Sequence, residues 1–293
     1  AIVTDGSCDI PKEYVEKYQL YIIPFRVLFG TEVFQTFGDW GDLTKEEFYD
    51  KLKTCEEFPT TGIPPNSEII KVMQKALSEA ESVIAIVLSS NFSGMYQSVV
   101  KVVEHQFQDA DITIIDSTVA TSSLGVLVLE AARMVESGFS KDEVIERIEL
   151  IKTQARLLVV LDSVDSVYRS GRVGWSKKFL VSSLKIKPIV NFVGGQIVSG
   201  GTLRGTEQVL KRIKFAAPII LKNSITDHLF IWHVRNPKAA EEIYEIMEAN
   251  NGQNKELIVQ EAGPLVGTHV GEKSIGIMYI GDYKKKWLLK MKE

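Results

Sequence analysis

Short apolar runs alternate with segments of helical periodicity along the first half of the chain. The apolar runs, at 2–4, 21–29, 83–88 and 112–115, are typical of strands. Apolar residues recur at helical spacing in the segments between and after them, which predicts helices at 12–18, 44–52, 69–77, 95–107, 119–135 and 141–153. Strands that alternate with helices predict a mostly parallel sheet with crossover helices.

The second half has a different pattern, with a change near residue 155. Its predicted elements are strands at 156–161, 184–192, 229–234, 257–259 and 275–280, helices at 206–215 and 238–249, and a hairpin at Gly194-Gly195. The sequence therefore predicts an α/β protein of two α/β domains. Residues 1–155 would hold the mostly parallel sheet flanked by helices, and residues 156–293 a mixed α/β domain.

Two stretches of the first half show no helical or strand pattern. Residues 30–42 predict irregular structure, and the proline-rich residues 58–65 predict a constrained, extended loop because proline fixes its own φ angle. Pro24 interrupts the apolar run at 21–29 and indicates an edge or an end of a strand there. Asp9, two residues before Pro11, is interpreted as the cap of the helix at 12–18.

Polar clusters follow three of the predicted strands, where ligands bind in parallel sheets. They are Asp5-Gly6-Ser7, Ser89 to Gly94, and Asp116-Ser117-Thr118. Ser93 and Gly94 precede the helix at 95–107, and the N–H groups and hydroxyls at a helix start attract carboxylate or phosphate. A simple helix cap is an equally good interpretation of Ser93.

Composition and charge narrow the class of protein. The 293 residues are 45% hydrophobic and 25% charged, which is typical of a globular protein. The formal net charge of -4 does not indicate a basic surface for nucleic acid. With two cysteines, no signal peptide and no apolar run of the roughly 20 residues that cross a bilayer, we expect a cytoplasmic protein. The basic cluster at 284–286 fits a solvated end, and a docking patch for transient membrane contact stays open.

Established catalytic and nucleotide motifs are missing from the sequence. It contains no Walker phosphate loop, no GxGxxG at a helix start, no HExxH and no cysteine cluster, so we expect neither metal nor cofactor. Ser93, His269 and Asp116 could form a catalytic triad, but the GxSxG elbow of serine hydrolases is absent. A stand-alone Ser-dependent acyl hydrolase or transferase therefore stays as the alternative function.

Several loops remain that suit a bound anion. Thr61 and Gly62 lie between prolines, Arg172 and Arg204 lie in glycine-containing segments, and His269 lies between Gly267 and Gly271. Each residue also has a structural interpretation, as a turn former, a surface arginine or a histidine bonded to backbone.

Taken in order, the polar segments resemble those of the DegV family over residues 2 to about 280. The matching segments are DGSCDIP, PTTGIPP, LSSNFSGMYQS, IDSTVAT, YRSGRV, LKIKPIV, a Gly-Gly hairpin with an arginine after it, and GPLVGTHVG. The resemblance implies two α/β domains with a long-chain fatty acid between them, its tail in an apolar tunnel. It also implies a lipid-binding, non-catalytic subunit that presents the acid to a separate ATP-dependent fatty acid kinase.

The resemblance also implies roles for single residues. Thr61, Ser93, Gly94 and His269 match positions at the fatty acid carboxylate. Arg204, together with His269, matches positions that support phosphoryl transfer, and Arg172 is a further candidate anion contact.

This chain departs from the family pattern at Gly62, Ile63, Met95 and Glu272. Because Thr61 and Ser93 are kept, we expect lipid binding to be intact, whereas the changed segments put the partnership with a kinase in doubt.

Overall fold

The computed structural model describes residues 1–38, 40–163, 165–171, 186–193 and 196–289. Its strands are β1 (Ile2–Asp5), β2 (Tyr21–Ile23), β3 (Phe25–Phe29), β4 (Glu32–Thr36), β5 (Thr60–Gly62), β6 (Val83–Val87), β7 (Ile112–Asp116), β8 (Ala155–Val160), β9 (Ile186–Val193), β10 (Gln196–Arg204), β11 (His228–His233), β12 (Glu256–Glu261) and β13 (Ile275–Ile280). Its helices are α1 (Lys12–Lys17), α2 (Lys45–Thr54), α3 (Asn66–Glu79), α4 (Met95–Gln106), α5 (Ser122–Glu136), α6 (Lys141–Lys152), α7 (Asp165–Ser170), α8 (Thr206–Asn223), α9 (Pro237–Glu248), α10 (Pro264–His269) and α11 (Lys286–Leu289).

The first half contains a fully parallel sheet in the order β2-β1-β6-β7. Every residue of β6 is buried, since helices cover a parallel sheet on both faces and leave no side for polar residues. The mostly parallel sheet predicted from the alternating pattern is confirmed. Its strands all end at one edge, so the polar segments that follow β1, β6 and β7 lie close together.

A small antiparallel sheet, in the order β4-β3-β5, lies beside the parallel one. The apolar run at 21–29 is split at Pro24 into β2 and β3, which belong to different sheets, because proline has no N–H for the ladder. The prediction of irregular structure at 30–42 is wrong for β4. That strand is largely exposed, with Val33 at 49% exposure, so it lacks the apolar signal of a buried strand.

The second half forms a mixed sheet in the order β10-β9-β8-β13-β11-β12. β11 and β12 are parallel, and the other neighbouring pairs are antiparallel. The mixed α/β character predicted for this half is confirmed, although the short helices α7, α10 and α11 were not predicted. Gly194 and Gly195 of the predicted hairpin lie outside the described residues, but β9 and β10 on either side pair as a hairpin requires.

Helix α5 lies between the two larger sheets. It contacts β1 and β6 on one side and β8, β11 and β13 on the other, and almost all of its residues are buried. A Cβ at Gly125 would lie 2.7 Å from the backbone oxygen of Cys8, so glycine allows this helix to approach the N-terminal segment closely. One continuous hydrophobic cluster accordingly contains residues from both halves.

The proposed division at residue 155 coincides with the start of β8. The parallel sheet uses strands before this point and the mixed sheet uses strands after it. Because the shared core extends across the two halves, the boundary itself stays a prediction. None of the described helices combines the length and apolar content needed to cross a membrane.

Glu130 of α5 supplies the first testable prediction. Its carboxylate is 1% exposed and accepts hydrogen bonds from Arg133 at 3.2 Å and Arg147 at 3.1 Å. Replacing it with alanine leaves two arginines without this acceptor, so we expect Glu130→Ala to lower the free energy of unfolding by about 3 kcal/mol. Urea unfolding measures this change, and Glu136→Ala, at an exposed position of the same helix, is the matched control. Equal stability of the two variants would refute the structural role of Glu130.

Candidate functional site

A cavity of about 560 Å³ opens where the carboxyl edge of the parallel sheet faces the mixed sheet. Most of its wall is apolar, formed by Phe25, Ile63, Leu88, Phe92, Ala120, Leu157, Val159, Leu161, Val167, Val190, Phe192, Ile197, Trp232, Leu265, Val266 and Val270. The polar or small residues of the wall are Ser7, Thr61, Gly62, Asn91, Ser93, Gly94, Thr121 and His269. Among these described lining residues none carries a carboxylate, an ammonium or a guanidinium group.

The mixed sheet forms one apolar wall through strand register. Val190 pairs with Val159, Val159 pairs with Gly276, and Gly276 pairs with Trp232, so these residues lie in one row across four strands. Directly paired residues of antiparallel strands point to the same face, which places the three side chains together in the cavity wall. A Cβ at Gly276 would lie 2.5 Å from Cγ2 of Val159, so glycine leaves the room that Val159 occupies.

Thr61 and His269 meet at the polar end of the cavity. Thr61 lies in β5 opposite Val27 of β3, and His269 is the last residue of α10, which starts with Pro264 in the favoured first position. The Thr61 Oγ1 and His269 Nε2 atoms are 3.0 Å apart, although the residues are 208 positions apart in sequence. The structure therefore brings together two of the predicted carboxylate contacts.

Ser93 and Gly94 line the same cavity at the start of α4. Gly94 is the N-cap residue of this helix, and the Ser93 hydroxyl accepts a hydrogen bond of 3.3 Å from the Met95 N–H. The two interpretations of Ser93 are thus compatible, because its oxygen supports the helix start and still borders the cavity. The Ile63 side chain lies 4.0 Å from the place a Gly94 Cβ would take, so the Thr61 and Ser93 segments adjoin.

Two aspartates organise the loops at the sheet edge. Asp5 is fully buried and accepts hydrogen bonds from Ser7 N–H and hydroxyl and from Leu88 N–H, which ties the ends of β1 and β6 together. Burial raises the pKa of Asp5, and these hydrogen bonds oppose that rise. Asp116 accepts from the N–H groups of Ser90 and Thr118. The polar clusters therefore do meet at one edge, as the sequence predicts.

Asp9 does not cap α1, so this prediction is wrong. The N-cap residue of α1 is Pro11, without a side-chain hydrogen bond. The Asp9 carboxylate is instead fully buried and accepts hydrogen bonds from the Thr121 hydroxyl at 2.6 Å, the Trp232 indole N–H at 3.2 Å and the Gly263 N–H at 3.1 Å. Since Asp9 precedes the first helix and Trp232 and Gly263 lie in the second half, this carboxylate joins the two halves beside the cavity.

The triad drawn from Ser93, His269 and Asp116 has little geometric support. His269 Nε2 lies 3.0 Å from the Thr61 hydroxyl, and the Asp116 carboxylate accepts hydrogen bonds from the backbone N–H groups of Ser90 and Thr118.

Of the two arginines singled out in the sequence, only Arg204 lies among the described residues. Arg204 is exposed at the end of β10, and its backbone N–H donates a hydrogen bond to the side-chain oxygen of Gln208. It is not among the described residues that line the cavity. Arg172 lies outside the described residues. Within the described ranges no group of three His, Cys, Asp or Glu side chains could hold a metal ion.

Sequence reasoning missed some residues of the site. Thr121 and Trp232 line the cavity and bond Asp9, but neither stands out in a single sequence. Ser7 and Thr121 follow β1 and β7, so the polar ends of parallel strands were the available signal for them. Trp232 gives no such signal, because it lies inside the apolar run of β11.

The described residues form an α/β protein with a largely apolar cavity whose described wall also contains Thr61, Ser93 and His269. The DegV family profile, described as an uncharacterised protein family, matches residues 1–282 of the chain. The chain therefore belongs to the DegV family, and the resemblance noted in its sequence is confirmed.

Individual relatives match over nearly the whole chain. A DegV domain-containing protein of Clostridium perfringens is 29% identical over 291 residues, which cover 96% of this chain and 98% of that protein. The crystal structure of DegV from Bacillus subtilis, described as a fatty acid binding protein, is 28% identical with a TM-score of 0.81 and covers 96% of this chain and 99% of that one. A DegV family protein from Thermus thermophilus, described for its fatty acid binding, has a TM-score of 0.83 at 23% identity and covers 96% and 99%.

Proposed function

We propose that this protein binds a long-chain fatty acid in the cavity between its two larger sheets. The carboxylate would contact Thr61, Ser93, Gly94 and His269, and the acyl tail would lie along the apolar wall. The observation that carries the proposal is the cavity itself, which combines a mostly apolar wall with hydrogen-bonding side chains, among them Thr61 and His269 in contact with each other.

The apolar wall suits an acyl chain. Leu157 and Val159 of β8 and Leu161 just after it are alternate residues that line the cavity, and Val190 and Phe192 do the same from β9. Each CH₂ group that leaves water for such a wall contributes roughly 0.8 kcal/mol, so the tail would supply most of the affinity.

The polar end suits a carboxylate. A buried carboxylate needs donors, because its removal from water is otherwise costly. The hydroxyls of Thr61 and Ser93 and a protonated ring nitrogen of His269 are able to donate, and the N-terminal end of α4 adds a favourable dipole. The DegV protein of Bacillus subtilis, 28% identical and described as a fatty acid binding protein, supports the same ligand class.

The second part of the proposal concerns a partner. On the family resemblance, the bound acid would be presented to a separate ATP-dependent kinase, with Arg204 and His269 supporting phosphoryl transfer and Arg172 contacting the anion. In this view the chain itself is not an enzyme and acts in the cytoplasm. The exposed position of Arg204 leaves it open to a partner.

Removal of the Thr61 and Ser93 hydroxyls, which would bond the fatty acid carboxylate, tests the ligand site. We expect denaturing extraction of freshly purified protein, followed by mass spectrometry, to yield about one long-chain fatty acid per chain. The double variant Thr61→Val/Ser93→Ala should retain about one tenth as much fatty acid as the wild type, or less, since two hydrogen bonds to a charged group are lost. The matched control is Thr60→Val/Ser90→Ala, which changes exposed neighbours outside the cavity.

Each result of this extraction has a defined meaning. Wild-type protein that contains no fatty acid and takes up none when oleic acid is added would overturn the proposed ligand. Equal retention by the Thr61/Ser93 variant and its control would keep the ligand but overturn the head-group assignment.

A larger side chain in the apolar wall of the cavity tests the position of the acyl tail. Val190→Phe should shorten the longest acyl chain that is retained, because the larger side chain projects into empty space, and stability should change little. The neighbouring Ile189 is fully buried in the core on the opposite face of β9, so Ile189→Phe should instead destabilise the fold. Chain length is read by mass spectrometry and stability by urea unfolding. An unchanged chain-length profile in Val190→Phe would show that the tail lies elsewhere.

Acyl phosphate formation tests the kinase partnership. Protein loaded with oleic acid is incubated with ATP, with and without the fatty acid kinase subunit of the source organism, and acyl phosphate is trapped with hydroxylamine as the hydroxamate. We expect hydroxamate only when both proteins are present. No product with the kinase would overturn the partnership, and product from this chain alone would favour an enzyme.

A further inference from the structure

Asp9 is a buried ionisable group that the proposed contacts with the fatty acid do not use. It has no exposed surface, and its φ of 47° lies in the left-handed region that non-glycine residues seldom adopt. Such a conformation persists only when the surroundings hold it. Here the carboxylate is held by donors from three separate segments.

Each of these donors belongs to the wall of the cavity or to the start of an element that forms it. Thr121 and Trp232, which both bond Oδ2, line the cavity. Gly263, which bonds Oδ1, is the N-cap residue of α10, and α10 carries Leu265 and His269 into the cavity. Asp9 is therefore the shared acceptor behind three parts of the wall.

An ionised carboxylate is the form that satisfies all three donors. The indole N–H of Trp232 and the backbone N–H of Gly263 can only donate, whereas the Thr121 hydroxyl can also accept. A protonated carboxyl group or an amide at position 9 brings a donor of its own. That donor either points at the N–H group of Trp232 or Gly263, which cannot accept a hydrogen bond, or it makes the Thr121 hydroxyl accept a hydrogen bond instead of donating one.

The charged and titratable groups near Asp9 are few among the described residues. Helix α2 contributes Lys45 and Tyr49. From β11, His233 follows Trp232, and burial lowers its pKa to about 4, so it stays neutral near pH 6. Glu261 lies before Gly263 and its carboxylate contacts Arg235, and residues 117–123 before and at the start of α5 contain no titratable side chain.

We propose that Asp9 is a positioning residue of the cavity, whose ionised carboxylate holds Thr121, Trp232 and α10 in the arrangement that binds the fatty acid. Protonation of Asp9 then weakens binding. This inference rests on the proposed function. Burial raises the pKa of Asp9 to about 6, so the carboxylate is ionised above that pH and its support of binding is lost as the pH falls through it.

The test compares the dissociation constant of radiolabelled oleic acid for the wild type and for Asp9→Asn between pH 5 and pH 8. The ratio of the two dissociation constants at each pH removes the effect of oleic acid's own ionisation, because that effect is the same for both proteins. We expect Asp9→Asn to bind about tenfold more weakly at pH 8 and about equally at pH 5, where the protonated carboxyl resembles the amide. Asp109→Asn, at an exposed position, should give a ratio of about 1 throughout.

A measurement on the wild type alone covers the case in which Asp9→Asn does not fold. The indole N–H resonance of Trp232, identified by its loss in Trp232→Phe, is followed by NMR against pH. We expect a midpoint near pH 6 without ligand and a lower midpoint with saturating oleic acid, because a ligand that prefers the ionised state stabilises it.

The outcomes separate this inference from the proposed function. A ratio that is constant with pH, or a Trp232 midpoint that oleic acid does not move, would overturn the role of Asp9 while the fatty acid site stands. Wild-type protein that binds no oleic acid at any pH would overturn the proposed function itself.

Discussion

Burial of α5 between the two larger sheets is the constraint on which the rest of the structure depends. A mostly apolar helix is stable in water only when other elements cover its apolar faces. Strands of both sheets cover α5, and one hydrophobic cluster therefore extends through both halves of the chain. The helix holds the sheets apart by its own width. Thr121, just before its first residue, already lies in the cavity wall, so the cavity adjoins the N-terminal end of α5.

The parallel sheet determines where the polar groups of the cavity lie. β1, β6 and β7 run in the same direction, so the segments that follow them collect at one edge. Asp5 and Asp116 satisfy the backbone N–H groups of these segments, which lets irregular loops lie close to an apolar space. The mixed sheet contributes the opposite wall, where paired valines and Trp232 form a continuous apolar row. A site with one polar end and a long apolar wall thus follows from packing these two kinds of sheet on one helix.

Local patterns predicted most elements, because the forces that define those elements are local. The helix predicted from residue 44, which the Thr44 and Glu47 side chains cap, and the apolar run of β6 are examples that the structure confirms. Helix α10 could not be predicted, since the glycines in and around it resemble a loop. Gly267, inside the helix, is needed because a Cβ there would lie 2.6 Å from the Tyr49 hydroxyl. Asp9 had a plausible local role as a cap, but donors from distant segments compete for its carboxylate. The pairing of Thr61 with His269 likewise came from family resemblance and not from periodicity.

The absence of charged side chains among the described lining residues bears on how such a site would work. An arginine or lysine inside this apolar space would need to lose its own water before it met a carboxylate, and that cost offsets much of the attraction. Neutral hydroxyls cost less to bury and still donate to a carboxylate. In such a site the affinity would come mainly from the tail, while the hydroxyls of the described wall would orient the head group.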